Sequence, residues 1–468
     1  MKHKLDSQKS AQIKEGIPSA EIRVERIDKA LDLLFTHMDE LCDAVCEDFG
    51  QRTSDQTKLV DIGAAVNGLK HAKKNVRKWM RPQTRKPTFP LGFLGAKAQL
   101  RFQPKGVVGV ISPWNFPIGL TFNPLACIFA AGNRAMITPS EFTENTSELM
   151  KSLIAKYYDD EELCVITGGP EVGKDFSQLP FDHLLFTGAT SIGRHVMRAA
   201  ADNLVPVTLE LGGKSPAILG PSANLENAAA KIMAGKTLNA GQICLAPDYV
   251  YLPSDKTEAF TQAAIQSVRT MYPSGLKENP DYTSMINQRH YDRVMAYISE
   301  ARDAGSDVIE INPNNENFSQ QAHHKIPPHI ILNPDDNLAV MQDEVFGPVL
   351  PVKTYTSLKE PVDFINSRPR PLGLYFFGSD KAEQETIVAN TNSGGVTLND
   401  VIFHAGQDDL AFGGIGDSGM GAYHGVFGFE EFSHKRAVYS QAKGNILDVL
   451  RPPYDKTYRK VLSQFVKR

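Results

Sequence analysis

Cysteine is scarce. The five residues in 468 (Cys42, Cys46, Cys127, Cys164 and Cys244) are odd in number and far apart, which excludes a disulfide framework and a paired-CxxC zinc site and makes a reducing compartment the expectation. Net charge is small as well: 50 Lys plus Arg against 54 Asp plus Glu leave −4, so the chain carries no electrostatic footprint for nucleic acid. Long apolar runs are missing. No stretch approaches the roughly 20 residues that span a bilayer, and the opening MKHKLDSQKS has no apolar run behind its basic residues, so a cytoplasmic protein without membrane contact is expected. Internal repeats and low-complexity blocks are lacking too. What remains is ordinary globular usage, 41% apolar and 22% charged, neither disordered nor fibrous. At about 150 residues per domain the length allows roughly three domain-sized units.

One helix is expected over residues 20–50, because Ile27, Leu31, Leu34, Met38, Leu41 and Val45 recur at steps of four and three and Gly50 supplies a stop. Residues 82–104 are rich in Pro and Gly and suit an arm or hairpin. From residue 106, short β-branched runs alternate with helix-like segments: VVGVIS, PLACIFAAG, RAMIT, ELMKSLIAKYY, LCVITGG, HLLFTG, IGRHVMRAAA, PVTLELGG. That rhythm indicates a parallel α/β sheet. A second α/β stretch follows, with SPAIL, NLENAAAKIMAGKTL, YVYL and TEAFTQAAIQSVRTMY, and residues 306–335 read as polar surface loop. The tail RPPYDKTYRKVLSQFVKR is a short basic amphipathic segment, expected as a solvated last helix rather than a membrane contact.

Three glycine-rich pieces could cradle phosphate. GGPEVGKD (Gly168 to Asp175) nearly spells a Walker loop, but Asp175 replaces the hydroxyl that would hold Mg²⁺; in LGGKS the glycine required five residues before Gly213 is Thr208. Neither is a nucleotide-triphosphate loop. FTGATSIGR places Gly188 and Gly193 where a strand feeds a helix N-terminus, which favours an anion, although a plain tight turn reads the same way.

Three further residues are candidates for chemistry. Cys244, in NAGQICLAP, follows a turn that Gly241 allows to approach a ligand closely; a lone cysteine is otherwise a small core hydrophobe. Glu210, in TLELGGKSP, ends an apolar strand, where a carboxylate is either ion-paired or used as a general base. Asn115, in SPWNFP, stands on a proline-fixed loop from which its amide could donate to an oxyanion. A metal site is not expected, since no His/Cys/Asp cluster is visible in the sequence.

PWNFP, FTGATSIG, TLELGGKSP, GQICLAPDYV, EVFGPVLPV, SGGVTLND and FGGIGDSGMGAYHG, in this order between about residues 20 and 455, resemble the aldehyde dehydrogenase superfamily. The early helix and the GMGAYHG segment are most similar to its class 3-like branch, which includes coniferyl aldehyde dehydrogenases. The resemblance implies an α/β fold with a Rossmann-like parallel-sheet cofactor domain, a second α/β catalytic domain and a small oligomerisation hairpin and strand. It implies residues 1–85 and 105–211 as the NAD-binding domain and 212–415 as the catalytic domain. Residues 86–104 with 434–443 would form the arm, and 416–433 and 444–468 would return to the cofactor domain or a partner. A homodimer is expected.

The implied activity is NAD(P)-dependent oxidation of an apolar aldehyde, aromatic such as coniferaldehyde or medium-chain aliphatic, to the acid. Cys244 would attack, Asn115 and the Cys244 N–H would hold the oxyanion, and Glu210 would activate water against the thioester, which favours hydrolysis over transfer to CoA. For the cofactor, similarity assigns Ile111, Trp114, Gly188, Ala189, Ile192, Gly193, Leu211 and Gly212, with Glu344 and Phe346 at the nicotinamide ribose and ring. Thr138 and Glu141 fall at the adenosine ribose. The chain departs from the family at Thr138, where the usual residue is Lys, and at Ala189, where many relatives carry Ser or Asn. A carboxylate without its cation would repel a 2′-phosphate, so NAD is favoured over NADP. Two rivals remain: a thiol hydrolase without redox chemistry, which lacks a histidine in a motif beside Cys244, and a non-catalytic relative.

Overall fold

A computed structural model describes residues 1–89, 91–443 and 451–466. Its first sheet has six strands in the spatial order Gly419–Met420, Val207–Leu211, His183–Gly188, Val107–Ile111, Arg134–Thr138, Leu163–Val165. All neighbours are parallel except Gly419–Met420, which pairs antiparallel with Val207–Leu211. VVGVI, RAMIT, LCV and HLLFTG are buried along nearly their whole length, as strands covered by helices on both faces must be. The second sheet orders seven strands as Asp307–Glu310, His329–Leu332, Val349–Tyr355, Tyr249–Pro253, Pro216–Leu219, Gly373–Phe377, Gly395–Leu398, parallel except at its Asp307–Glu310 edge. This is the expected α/β architecture.

A third, antiparallel sheet joins Gln83–Arg85, Lys97–Pro104 and Ser433–Ser440, with Lys97–Pro104 in the middle. It carries the late chain across the early hairpin. Gly419–Met420 brings the segment before it back onto the first sheet beside Glu210.

Two expectations need correction. The helix over 20–50 is broken at His37 (φ −112°, ψ 23°) into Ala20–Thr36 and Met38–Phe49. The apolar stripe survives because both pieces bury it in one core: Ile27, Leu31 and Leu34 from the first, Leu41 and Val45 from the second. Ser19 caps the first, accepting from the Ile22 N–H, and Gly50 at φ 74° ends the second. Residues 306–335 are not all loop. DVIE and HIIL within them pair antiparallel, with DVIE alone at the edge of the second sheet, hidden in the sequence because each is only four residues long amid polar loop. The N-terminal residues, which carry no apolar run, form the helix Lys2–Glu15, pinned by Gln8 donating to the Ala135 and Asp160 carbonyls. The basic tail contains the helix Lys456–Phe465; residues 444–450 and 467–468 lie outside the described residues. Among the described residues no helix is long and apolar enough to cross a membrane.

Candidate active site

The turn before Cys244 is the most distorted backbone near the two sheets. Asn239, Ala240 and Gly241 are consecutive left-handed residues at φ 50°, 51° and 73°, and the two non-glycine members cost roughly 1–3 kcal/mol each. Gln242 braces the turn from inside. Its Nε2 donates to the Asn239 and Ser284 carbonyls at 3.0 Å each, and its Oε1 accepts the Ile286 N–H at 3.0 Å. Gly241 is required because a side chain there would strike the Gly347 carbonyl. Asn115 is locked to the same turn: its Nδ2 donates to the Gln242 carbonyl at 3.1 Å, and its own carbonyl accepts Asn239 Nδ2 at 3.1 Å. An amide has two N–H groups, so one fixes Asn115 against the turn and the other is left to act.

Cys244 emerges from this turn half-buried, and carboxylates surround it. Glu210 is 2% exposed and neither of its oxygens has a hydrogen-bond partner. Burial, then the charge of Glu344, drives its carboxyl well above the usual range. Glu344 is pushed up to about 8 by burial and by Asp248, against the pull of the Gly213 N–H. The same two glutamates act on Cys244 through space and, behind burial, raise its thiol well above the ordinary value. Cys244, Glu210 and Glu344 therefore share one desolvated environment and act on one another through space. Glu210 makes no ion pair among the described residues, which removes the salt-bridge alternative; Cys127 and Cys164, by contrast, are core thiols that burial pushes up to about 12.

Glu344 and Phe346 are held by cations that sequence reasoning missed. Arg293 donates to the Val345 and Phe346 carbonyls at 2.8 and 3.2 Å. Lys214 holds the Val340 and Asp343 carbonyls and pairs with Asp248, whose other oxygen accepts the Val345 N–H at 2.9 Å. So clamped, Phe346 keeps a left-handed φ of 42° and stands 5.4 Å from the Trp114 ring, edge to face. The Glu344 carboxylate occupies the space a side chain at Gly212 would need, and its Oε1 is buried without a partner.

The strand His183–Gly188 runs into the helix Thr190–Ala201, at which Ala189 is an N-cap with no side-chain bond. The Ile192 and Gly193 N–H groups close on the Ala189 carbonyl, which leaves those of Thr190 and Ser191 open to an anion. Gly193 packs on Leu211, where a Cβ would come within 2.8 Å, while Ile192 stands exposed beside it. Ile111 and Trp114 are half-buried where the strand Val107–Ile111 opens into its loop. At the far side lies a cavity of about 290 Å³, lined among others by Ser140, Glu141, Glu144, Glu148 and Thr167. Thr138 is buried at the end of its strand and does not line it. Lys151 reaches Glu148 and the Thr167 hydroxyl, at 3.1 and 2.8 Å.

Comparison with known proteins agrees with this geometry. The aldehyde dehydrogenase family profile matches residues 8–438. A probable coniferyl aldehyde dehydrogenase of Caulobacter vibrioides is 56% identical, covering 99% of this chain and 96% of its own. A coniferyl aldehyde dehydrogenase of Pseudomonas sp. strain HR199 is 50% identical over 98% and 95%. The solved substrate-bound state of Staphylococcus aureus AldH superposes with a TM-score of 0.92 at 32% identity, covering 99% of both chains. The chain belongs to the aldehyde dehydrogenase family and is an NAD(P)-dependent oxidoreductase of aldehydes.

Proposed function

We propose that the protein oxidises an aromatic aldehyde of the coniferaldehyde type to its acid with NAD, using Cys244 as nucleophile, Asn115 as oxyanion donor and Glu210 as base. The observation that carries this is the convergence of a turn-held Asn115, a half-buried Cys244 and an unpartnered, fully buried Glu210. The substrate class rests on the two coniferyl relatives.

In the mechanism, Cys244 first gives its proton to water, and the thiolate then adds to the carbonyl carbon; the electron pair moves to oxygen, where the free Asn115 N–H and the Cys244 N–H receive it. A nicotinamide held beside Glu344 and Phe346 would supply the acceptor for the hydride that leaves that carbon. The acyl group is left as a thioester on Cys244. Glu210 takes a proton from water, the hydroxide adds, and the C–S bond breaks to release the acid. A base with a raised pKa is matched to this task, because it is neither always charged nor too weak.

The open helix start at Ala189, the Gly212 cradle under Glu344 and the 290 Å³ cavity fit a dinucleotide. Ile111, Trp114, Gly188, Ile192, Gly193, Leu211, Glu344 and Phe346 would hold it, with Glu141 at the adenosine ribose. Three carboxylates, Glu141, Glu144 and Glu148, line the cavity, and among the described residues only Glu148 of the three is ion-paired, to Lys151, a balance that disfavours a 2′-phosphate. NAD is accordingly the preferred cofactor, with NADP second.

We assign 1–85 and 105–211 to the cofactor domain, 212–415 to the catalytic domain, and 86–104 with 434–443 to a dimer-forming arm in a cytoplasmic homodimer. The strand Ser433–Ser440 lies at the edge of its sheet, a row of unpaired groups that a second copy would satisfy. Sedimentation as a monomer at micromolar concentration would refute the dimer. The activity is tested by following NADH at 340 nm with NAD or NADP and a panel of aromatic and aliphatic aldehydes. Coniferaldehyde with NAD is expected to give the highest kcat/KM; oxidation of aliphatic aldehydes alone would overturn the substrate class, and no turnover with any aldehyde would overturn the mechanism.

A further inference from the structure

A buried ion pair lies directly behind the oxyanion loop. Arg52 and Asp61 are both fully buried, Arg52 in the connection after Met38–Phe49 and Asp61 inside the π-helical turn Thr57–Ile62. Arg52 Nη2 meets Asp61 Oδ2 at 3.3 Å, and Nη1 donates to the Asn115 carbonyl at 2.6 Å. Asp61 Oδ1 accepts the Gly119 N–H, with the Ile118 N–H also on that carboxylate. The guanidinium is seated between the Phe49 and Phe116 rings, 5.0 and 4.9 Å from their centres. The pair thus grips both ends of the segment 115–119: Arg52 holds its first carbonyl and Asp61 its last N–H. Gly119 has no room for a side chain, since a Cβ would come within 2.9 Å of the Asp61 carbonyl. A π-turn in this position is itself a costly feature of the kind found near functional sites.

We propose that Arg52 and Asp61 are positioning residues that aim the free N–H of Asn115 at the oxygen developing above Cys244. Two buried charges are expensive, and such a pair seldom adds stability over well-packed apolar residues. What it adds here is direction. Asn115 receives Arg52 on its carbonyl from the side of the first sheet and Asn239 on the same oxygen from the catalytic turn. Its backbone can neither rotate nor slide relative to Cys244 while both donors are in place. Geometry of this kind bears on catalysis steeply, because an oxyanion donor must lie close to the position of the charge in the transition state.

The inference rests on the reading of Asn115 as oxyanion donor, and the test separates the two. Arg52→Lys keeps the charge but loses the fork, and Asp61→Asn keeps the size but loses the charge; either serves if the other fails to fold. In each, the rate of the pre-steady-state NADH burst with a saturating aromatic aldehyde is expected to fall at least tenfold. The NAD dissociation constant, read by quenching of protein fluorescence, should stay within twofold. Alkylation of Cys244 by iodoacetamide, which develops no oxyanion, should also stay within twofold. In an Asn115→Ala background, itself expected to lose about 10²- to 10³-fold in burst rate, the Arg52 change should cost little more. An unchanged burst, a burst and alkylation rate that fall together, or losses that multiply in the Asn115→Ala background would each overturn the positioning role. If Asn115→Ala alone leaves the burst rate intact, the oxyanion assignment fails first, and the role of the pair with it.

Discussion

The two ends of the cleft are built by opposite rules. Around Gly188–Gly193 the parts are neighbours in sequence, the anion site is backbone N–H at a helix start, and the side chains are exposed or packed on Leu211. Around Cys244 the parts arrive from segments far apart, at 115, 210, 239–244 and 344–346. Their backbone is left-handed at Asn239, Ala240 and Phe346, and Glu210 is buried with nothing to bond. The nucleotide end is cheap and tolerant. At the chemical end, strain and desolvation are concentrated where reactivity is needed, and the surrounding clamps Gln242, Arg293 and Lys214 hold it together. Substitutions should therefore have large effects at one end and small ones at the other.

The largest effect is expected for Cys244→Ala. Turnover should fall at least about 10⁴-fold, since covalent chemistry has no substitute group, while NAD binding measured by fluorescence stays within twofold. The contrast fails if this variant keeps substantial turnover, or if it loses NAD binding as well. Cys127 and Cys164, buried in the core, should resist iodoacetamide in the native enzyme more than the half-buried Cys244, as mass spectrometry of the labelled protein will show.

Next is Glu210→Gln, which should spare acylation and slow hydrolysis of the thioester by about 10²- to 10⁴-fold. A burst of NADH stoichiometric with enzyme followed by a slow steady state is the signature; loss of the burst itself would place Glu210 in an earlier step. The pH dependence has a definite sign. Burial and Glu344 raise the Glu210 carboxyl, so as pH falls it takes up its proton earlier than an ordinary carboxylate and can then no longer accept one. The steady-state rate in the wild type should accordingly climb as pH rises through the raised pKa, and this limb should flatten in Glu210→Gln.

What the sequence made legible follows the same division. The parallel sheets and the strand-to-helix turn at Gly188 are legible because each is announced locally, by β-branched runs or glycine spacing; Cys244, Glu210 and Asn115 stand out locally only as candidates, and their roles come from the family resemblance. The break at His37 was not, because both helices bury the same stripe and the periodicity runs straight through it. Arg293, Lys214 and Arg52 were equally silent. A basic residue reads as a solvated charge until the fold shows backbone carbonyls converging on it: those of Glu344, Val345 and Phe346 on Arg293, and those of Val340 and Asp343 on Lys214. Gln242 drew notice only as a neighbour of Gly241; its role as a brace depends on Ser284 and Ile286, more than forty residues away.

The smallest effect, and the one most particular to this chain, concerns Thr138. Its side chain is buried at the strand end, but the next residues, Pro139, Ser140 and Glu141, already line the ribose-side cavity. A lysine at 138 could extend its amine along the strand exit into that cavity while keeping its stem covered. The Thr138 carbonyl, which accepts the Ser112 N–H at 3.1 Å, would be undisturbed. The added cation would face Glu141, Glu144 and Glu148, of which only Glu148 is ion-paired among the described residues, to Lys151. A partly exposed charge pair is worth about 0.2–1 kcal/mol, whereas a charge-assisted bond to a phosphate reaches ~1.5–3 kcal/mol. Thr138→Lys should therefore tighten NAD slightly and NADP more, and adding Glu141→Gln should widen the gap by removing the nearest repulsion. Fluorescence titration of both cofactors against wild type and the two variants decides the matter. Equal changes for NAD and NADP would show that position 138 does not face the 2′ oxygen, and a loss of affinity as large as those at the Cys244 end would show that the nucleotide end is not the tolerant one.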